Sequence, residues 1–371
     1  MSEVNPASLV PAVAWGGFIL AFVFGFVGNR TNFCTMGAVS DVVNMGDWNR
    51  MRMWLLAIAV AIIGANALEL AGVVKLSNSI YPAPNFTWLS YVVGGLLFGI
   101  GMTLGSGCGS KTLIRVGGGN LKSLVVLVFM AIAAYMTLRG LFGSFRVGVL
   151  EPVNAQLAGG QDLPTLLARW VGGERRTMTI AAAAVIGGGL LVFALMKREF
   201  RQFDYLLGGV VVGLVIVGGW YVSGKLGYVH EHPDTLQEAW VATNTGRMES
   251  LSFVAPQAFG LELLMFWTDK SKIVTFGIAS ALGVIVGSAV YALVSQSFRL
   301  EAFRDAGDML RHIVGGILMG FGGVVSLGCT IGQGITGFST LALGSIITFF
   351  AIVAGAAATM KYEYWRLMKE A

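Results

Sequence analysis

The residues of this chain best suited to chemistry are three cysteines, Cys34, Cys108 and Cys329. Their number is odd and none belongs to a Cys-x-x-Cys pair, so a disulfide framework is excluded and three free thiols are expected. A thiol offers a weak S–H donor on a polarizable atom, and as a thiolate it becomes a nucleophile. Two of the three share a setting. Residues 94–108 align without a gap to residues 315–329, shifted by 221 positions, with seven of fifteen residues identical and both copies ending in Gly-Cys, at Gly107–Cys108 and Gly328–Cys329. Small residues follow each cysteine, Gly109 in one copy and Thr330 in the other. Cys34, in Asn-Arg-Thr-Asn-Phe-Cys-Thr-Met-Gly, has no such mate. Lys111 and Arg115 follow Cys108, where they could draw an anion or simply anchor a loop, and no basic residue closely follows Cys329.

Other candidates are weaker. His230 and His232, in His-Glu-His-Pro, lack further ligands nearby and read as a solvated loop tip rather than a metal site. Glu69, late in an apolar stretch, could couple protons or snorkel to the surface. There is no Walker loop, no His-Glu-x-x-His and no convincing Ser-His-Asp order, so no catalytic, cofactor-binding or metal-binding set is expected. Transport is the function class that remains.

The composition fixes what must position the thiols. Of 371 residues, 55% are hydrophobic and only 12% charged, against roughly 25% charged in soluble domains. The 52 glycines accompany only 8 prolines, a balance that fits closely packed membrane helices and excludes collagen-like or linker sequence. The net charge of +5 is spread between apolar stretches without a basic run, which argues for membrane orientation and against nucleic-acid binding.

Nine crossings are expected, near 11–28, 53–74, 89–105, 122–140, 177–196, 205–222, 272–294, 312–327 and 343–360, each close to the roughly 20 residues a bilayer needs. The first is expected to be a retained span, since no basic run precedes it. Basic residues then cluster on one side if the N-terminus is outside and the C-terminus cytoplasmic. The segment 141–176, with Arg146, Arg169, Arg175 and Arg176, goes against that rule, and an amphipathic helix near 162–171 is expected there. The loop 223–271 suits an external cap.

Five crossings lie between the two Gly-Cys copies, so the copies are expected to be inverted, and inverted repeats place sites near the midplane at broken helices. The fold class is therefore an all-α polytopic membrane protein with re-entrant segments entering from opposite faces, arranged as four, one and four spans. Residues 1–140 form the first repeat, with Cys34 and Cys108. Residues 141–204 form a connector, and residues 205–371 the second, inverted repeat with Cys329. The pairs Gly95/Gly99 and Gly316/Gly320 read as helix-packing contacts.

Three stretches carry a family resemblance: Asn32-Phe-Cys-Thr-Met-Gly, Gly105-Ser-Gly-Cys-Gly-Ser-Lys-Thr-Leu-Ile-Arg-Val-Gly-Gly-Gly-Asn120, and Ser326-Leu-Gly-Cys-Thr-Ile-Gly-Gln-Gly-Ile-Thr-Gly337. In them the chain resembles the YeeE/YedE family of membrane proteins. The resemblance implies an hourglass-shaped helical protein of the bacterial inner membrane that takes up thiosulfate or a related sulfur anion, with Cys34, Cys108 and Cys329 along the constricted path. It also implies a cytosolic TusA-like sulfurtransferase as partner. Some relatives are linked to selenium compounds, which leaves the substrate open. Two rival readings are a membrane sulfur-relay protein that forms cysteine persulfides and a structural subunit whose loop 223–271 binds a partner.

Overall fold

Apolar runs of about twenty residues can satisfy their backbone polar groups inside a bilayer only as helices, and the chain is built accordingly. The computed structural model describes residues 6–233 and 235–370. Helices α1 (Pro6–Arg30), α2 (Thr35–Ser40), α3 (Asn49–Leu70), α4 (Trp88–Leu104), α5 (Gly109–Gly117) and α6 (Leu121–Arg139) come first. The short α7 (Leu141–Phe145) and α8 (Leu163–Val171) follow. Next, α9 (Arg175–Ala182) and α10 (Gly188–Leu195) run on as one crossing. The chain ends with α11 (Phe203–Tyr221), α12 (Ala255–Met265), α13 (Phe276–Val294), α14 (Ala306–Val325) and α15 (Leu343–Glu370).

Among the described residues nine helices are long and apolar enough to cross a membrane, so the protein is an all-α polytopic membrane protein. Among the described residues sheet is confined to two ladders of two residues per strand, Asn85–Phe86 with Ala155–Gln156 and Tyr228–Val229 with Ala239–Trp240. Polar side chains set several helix starts: Asn120, Asp162, Thr275 and Asp305 each accept a backbone N–H from the first turn that follows. Such caps stabilise a helix by about 1 kcal/mol each. The amphipathic helix expected near 162–171 is α8, begun by Asp162.

The packing repeats itself with partners exchanged. Helix α1 lies along α13 as α11 lies along α3, and α15 lies along α4 as α6 lies along α14. The two Gly-rich helices α4 and α14 cross each other at the centre of this arrangement. There, a Cβ added at Gly94 would come 2.7 Å from the Ser326 nitrogen, and one at Gly101 would come 2.7 Å from the Gly315 carbonyl. The Gly95/Gly99 and Gly316/Gly320 pairs pack against α15 and α6 respectively, Gly95 at Ala351 and Gly320 at Ala133. These backbones touch because nothing larger than hydrogen intervenes.

Two features depart from expectation. The first helix ends only at Arg30, and α2 extends as a wide i→i+5 turn to Met45, so the first apolar run outlasts the expected span. Glu69 is ion-paired with Arg175 at 3.2 Å, and Arg175 also reaches Asp162 at 3.4 Å. Glu69 is thus tied to the 141–176 segment and holds no free carboxylate. Most basic groups of that segment are occupied: Arg146 pairs with Glu151 at 2.9 Å and Arg169 donates to the Ala158 carbonyl.

Close backbone packing predicts a sharp asymmetry among glycines. In Gly99→Val the new side chain would overlap the Ile352 carbonyl and Gly355, and overpacking of this kind costs about 1–3 kcal/mol or more. Gly188→Ala, where nothing lies within 4 Å of the added carbon, should leave the protein unchanged. Thermal unfolding in detergent is expected to show a clear loss for the first and none for the second.

Candidate functional site

Each of the three cysteines stands on the same backbone turn. Helix α1 ends with Thr31 N–H to Val27, Asn32 N–H to Asn29 and Phe33 N–H to Gly28, and Cys34 then opens α2. Helix α4 ends with Gly105 to Gly101, Ser106 to Thr103 and Gly107 to Met102, and Cys108 opens α5. Helix α14 ends with Ser326 to Gly322, Leu327 to Val324 and Gly328 to Gly323, and Cys329 opens the next helical stretch, which includes a wide turn over Gly332–Gly337. In every case the residue two before the cysteine is left-handed: Asn32 at φ 51°, Ser106 at 57° and Leu327 at 61°. None is glycine, and a left-handed L-residue costs roughly 1–2 kcal/mol. Cys34 therefore has the mates in backbone that it lacks in sequence.

The thiols take part in closing these turns. Gly37 N–H donates to Cys34 Sγ at 3.3 Å, Cys108 Sγ lies 3.3 Å from Ser110 Oγ, and Cys329 Sγ accepts from Gly332 N–H and Phe253 N–H, both at 3.4 Å. Cys34 is 5% exposed and the other two are 0% exposed. All three are free.

Polar side chains hold the strained residues. Lys111 Nζ donates to Asn32 Oδ1 at 2.5 Å, and Arg115 Nη1 donates to the Ser106 carbonyl at 2.7 Å. Both cations offered by the sequence thus grip a cysteine turn. At the third turn the neutral Gln333 does this work, donating to the Ser326 carbonyl. Arg50, outside the residues singled out from sequence, lies against Gly37 in the Cys34 turn and pairs with Asp41.

These contacts put Cys108 between the other two. The Phe253 peptide separates the two Gly-Cys turns: its N–H reaches Cys329, while a Cβ on Gly109 would come 2.9 Å from its carbonyl oxygen. On the other side, Lys111 of α5 reaches the Cys34 turn. Gly328 lines a cavity of about 140 Å³ on the face where α1 begins, and α2 lines a larger one of about 660 Å³ on the opposite face. Gly107 faces only the Lys111 stem. Thr330 is 0% exposed and Thr35 is 2% exposed, and neither hydroxyl has a hydrogen-bond partner. Buried rings wall the region, with Phe33 stacked on Trp54 at 6.2 Å and Trp54 on Phe349 at 5.2 Å.

Chemically, the arrangement offers soft sulfur contacts, backbone N–H groups and unpaired hydroxyls in an apolar wall. Among the described residues no three His, Cys, Asp or Glu side chains gather closely enough to hold a metal ion. Residues 30–358 match the profile of the sulphur transport family. The chain belongs to this family. Two relatives of similar length, both named thiosulfate transporter TsuA, resemble it. The one from Escherichia coli (strain K12) is 29% identical over 330 residues, covering 86% of each chain. The one from Spirochaeta thermophila is 26% identical over 355 residues, covering 92% of this chain and 96% of its own. The sulphur transport profile spans all three cysteine turns.

Sequence reasoning missed the shared turn at Cys34, the Phe253 peptide, Arg50 and Gln333. Gln333 was within reach, because it sits in the Cys329 stretch at the position matching Thr112 in the first copy.

A left-handed serine predicts a measurable strain. Ser106→Gly should raise the melting temperature, by up to about 1 kcal/mol of stability, whereas Ser106→Val should lower it, as β-branched residues resist φ > 0. A lower melting temperature for Ser106→Gly would contradict this account of the turn.

Proposed function

We propose that the protein takes up thiosulfate, or a closely related sulfur anion, by passing it along Cys329, Cys108 and Cys34. The observation that carries this reading is the set of three thiols on one repeated turn, with Cys108 bridging the others and a cavity at each end. Thiosulfate is a dianion with a soft terminal sulfur. The sulfur suits polarizable thiols, while oriented N–H groups at the helix starts suit the charge. The relatives named thiosulfate transporters supply the substrate class.

Passage favours weak successive contacts over one tight pocket, since an ion bound too strongly does not leave. Three thiols and two orphan hydroxyls meet that requirement. Persulfide relay needs an activated thiolate, and the direct partners of Cys108 and Cys329 are a hydroxyl and backbone N–H groups. The cations Lys111 and Arg115 are engaged by Asn32 and Ser106. Passage without covalent transfer is therefore favoured.

The orientation belongs to the same proposal: N-terminus outside, C-terminus cytoplasmic, in the bacterial inner membrane. The loop arginines Arg30, Arg50, Arg299 and Arg311 and the terminal Lys361, Arg366 and Lys369 then share the cytoplasmic side, and pairing of Arg146, Arg169 and Arg175 reduces the conflict from the 141–176 segment. The division into repeats at 1–140 and 205–371, with 141–204 as connector, accompanies it. A cytosolic sulfurtransferase, TusA-like, would receive sulfur at the face lined by α2 and α15. Moving a dianion inward against 100 mV costs about 4.6 kcal/mol, so consumption of the product at that face draws the flux.

Uptake of labelled thiosulfate into proteoliposomes tests the reading. Cys108→Ser and Cys329→Ser are each expected to reduce uptake at least about tenfold, corresponding to roughly 1.4 kcal/mol, with the folded yield unchanged. Intact mass should show no added sulfur after incubation with substrate. Full uptake by both variants would contradict the proposal, and a trapped persulfide would favour the relay.

A further inference from the structure

The cavity above Cys329 holds charges that the thiol path does not explain. Its wall includes Tyr81, Arg146, Asn244, Glu249 and Ser252, and its floor is Leu327–Gly328, the turn that presents Cys329. Among its lining residues Arg146, Glu249 and Tyr81 are the only ones that can carry charge. Arg146 is held on one side by Glu151, at 2.9 Å from Nη1. Its Nε is buried and has no hydrogen-bond partner. An unpaired guanidinium N–H in the wall of a small, mainly apolar cavity is suited to an oxyanion.

Glu249 faces the same space. Its Oε1 accepts the Asn244 N–H at 3.4 Å, and its backbone is fixed to Ser223, whose hydroxyl accepts the Glu249 N–H at 3.0 Å. A carboxylate here would repel an arriving dianion. A protonated carboxyl would not, and could itself donate a hydrogen bond. Resting on the assignment of the protein as an anion transporter with this face outside, we propose that the cavity is the external capture site for the anion. Arg146 binds its oxyanion end, and Glu249 must carry a proton for the anion to occupy the site.

The energetics of the site agree in sign. Burial pushes the Glu249 carboxyl up to about 8, against hydrogen bonds from Asn244 and Thr245 that act the other way. Tyr81, from the segment after α3, is raised by its own burial, by Cys329 and by Glu249, so it stays neutral. Arg247, on the same segment as Glu249, is exposed. At pH 7 Glu249 is therefore mostly protonated and at pH 9 mostly ionised, which alters the competent fraction about tenfold.

Proteoliposome uptake of labelled thiosulfate, with external pH varied from 6 to about 9, tests the proposal. Wild-type uptake at subsaturating substrate should fall about tenfold between pH 7 and 9, with the loss in half-saturation concentration rather than in maximal rate. Glu249→Gln should transport and lose that pH dependence. Arg146→Ala should raise half-saturation at least about tenfold at pH 7, and Arg146→Lys should recover part of it. Size-exclusion profiles identify misfolded protein, in which case Glu249→Asp, which keeps an ionisable group with a displaced midpoint, replaces the glutamine variant. An unchanged pH profile in Glu249→Gln, or unchanged half-saturation in a folded Arg146→Ala, would overturn the capture site while leaving the transport reading intact. Absence of uptake by wild-type protein at every pH would instead refute that reading.

Discussion

A helix that ends against buried protein must find partners for backbone groups that water would otherwise satisfy. In this protein α1, α4 and α14 each stop beside a buried cysteine, and the same tight turn closes all three. The turn folds three N–H groups back onto the helix it ends and leaves the following residue to start the next one. That residue is cysteine each time. Its sulfur, a weak acceptor, takes an N–H or a hydroxyl contact and stays otherwise uncommitted. The position of the thiols is thus a consequence of how the chain breaks its helices.

The rest of the structure serves that constraint. Gly94, Gly101, Gly315 and Gly322 let α4 and α14 cross with backbones in contact, which brings their two turns to either side of the Phe253 peptide. Lys111, Arg115 and Gln333 reach back to the turns and hold the residues in or beside the left-handed conformation. Stacked Phe33, Trp54 and Phe349 fill the space around them. Gly334 is small because Trp54 occupies its Cβ direction, with Phe349 at 3.0 Å. A rigid, apolar wall with a few weak polar contacts is what an anion path needs if the anion is to keep moving.

Much of this was legible in the sequence because it rests on residue type and spacing. Nine apolar runs gave nine crossings, and the shared Gly-Cys ending marked the two central turns. The amphipathic stretch near 162–171 marked α8. Cys34 was opaque for a physical reason: its turn shares backbone conformation with the others but uses Asn-Phe where they use Ser-Gly and Leu-Gly. Hydrogen bonding defines the likeness, and residue types do not encode it. Phe253 and Glu249 lie in a loop whose composition suits solvent, yet Phe253 is 0% exposed and contacts Cys329. Such contacts join residues far apart in the chain, and local pattern carries no trace of them. Glu69, conspicuous within an apolar run, proved to be an ion-pair partner for Arg175.

The central claim is that the three turns form one path for a sulfur anion. A structure of the protein determined with thiosulfate, its sulfur located by anomalous scattering, tests this most directly. The account predicts the terminal sulfur in contact with Cys329 or Cys108, with oxyanion oxygens toward neighbouring N–H groups and Thr330. Thiosulfate ordered elsewhere in the protein, with all three turns unoccupied at saturating concentration, would contradict it.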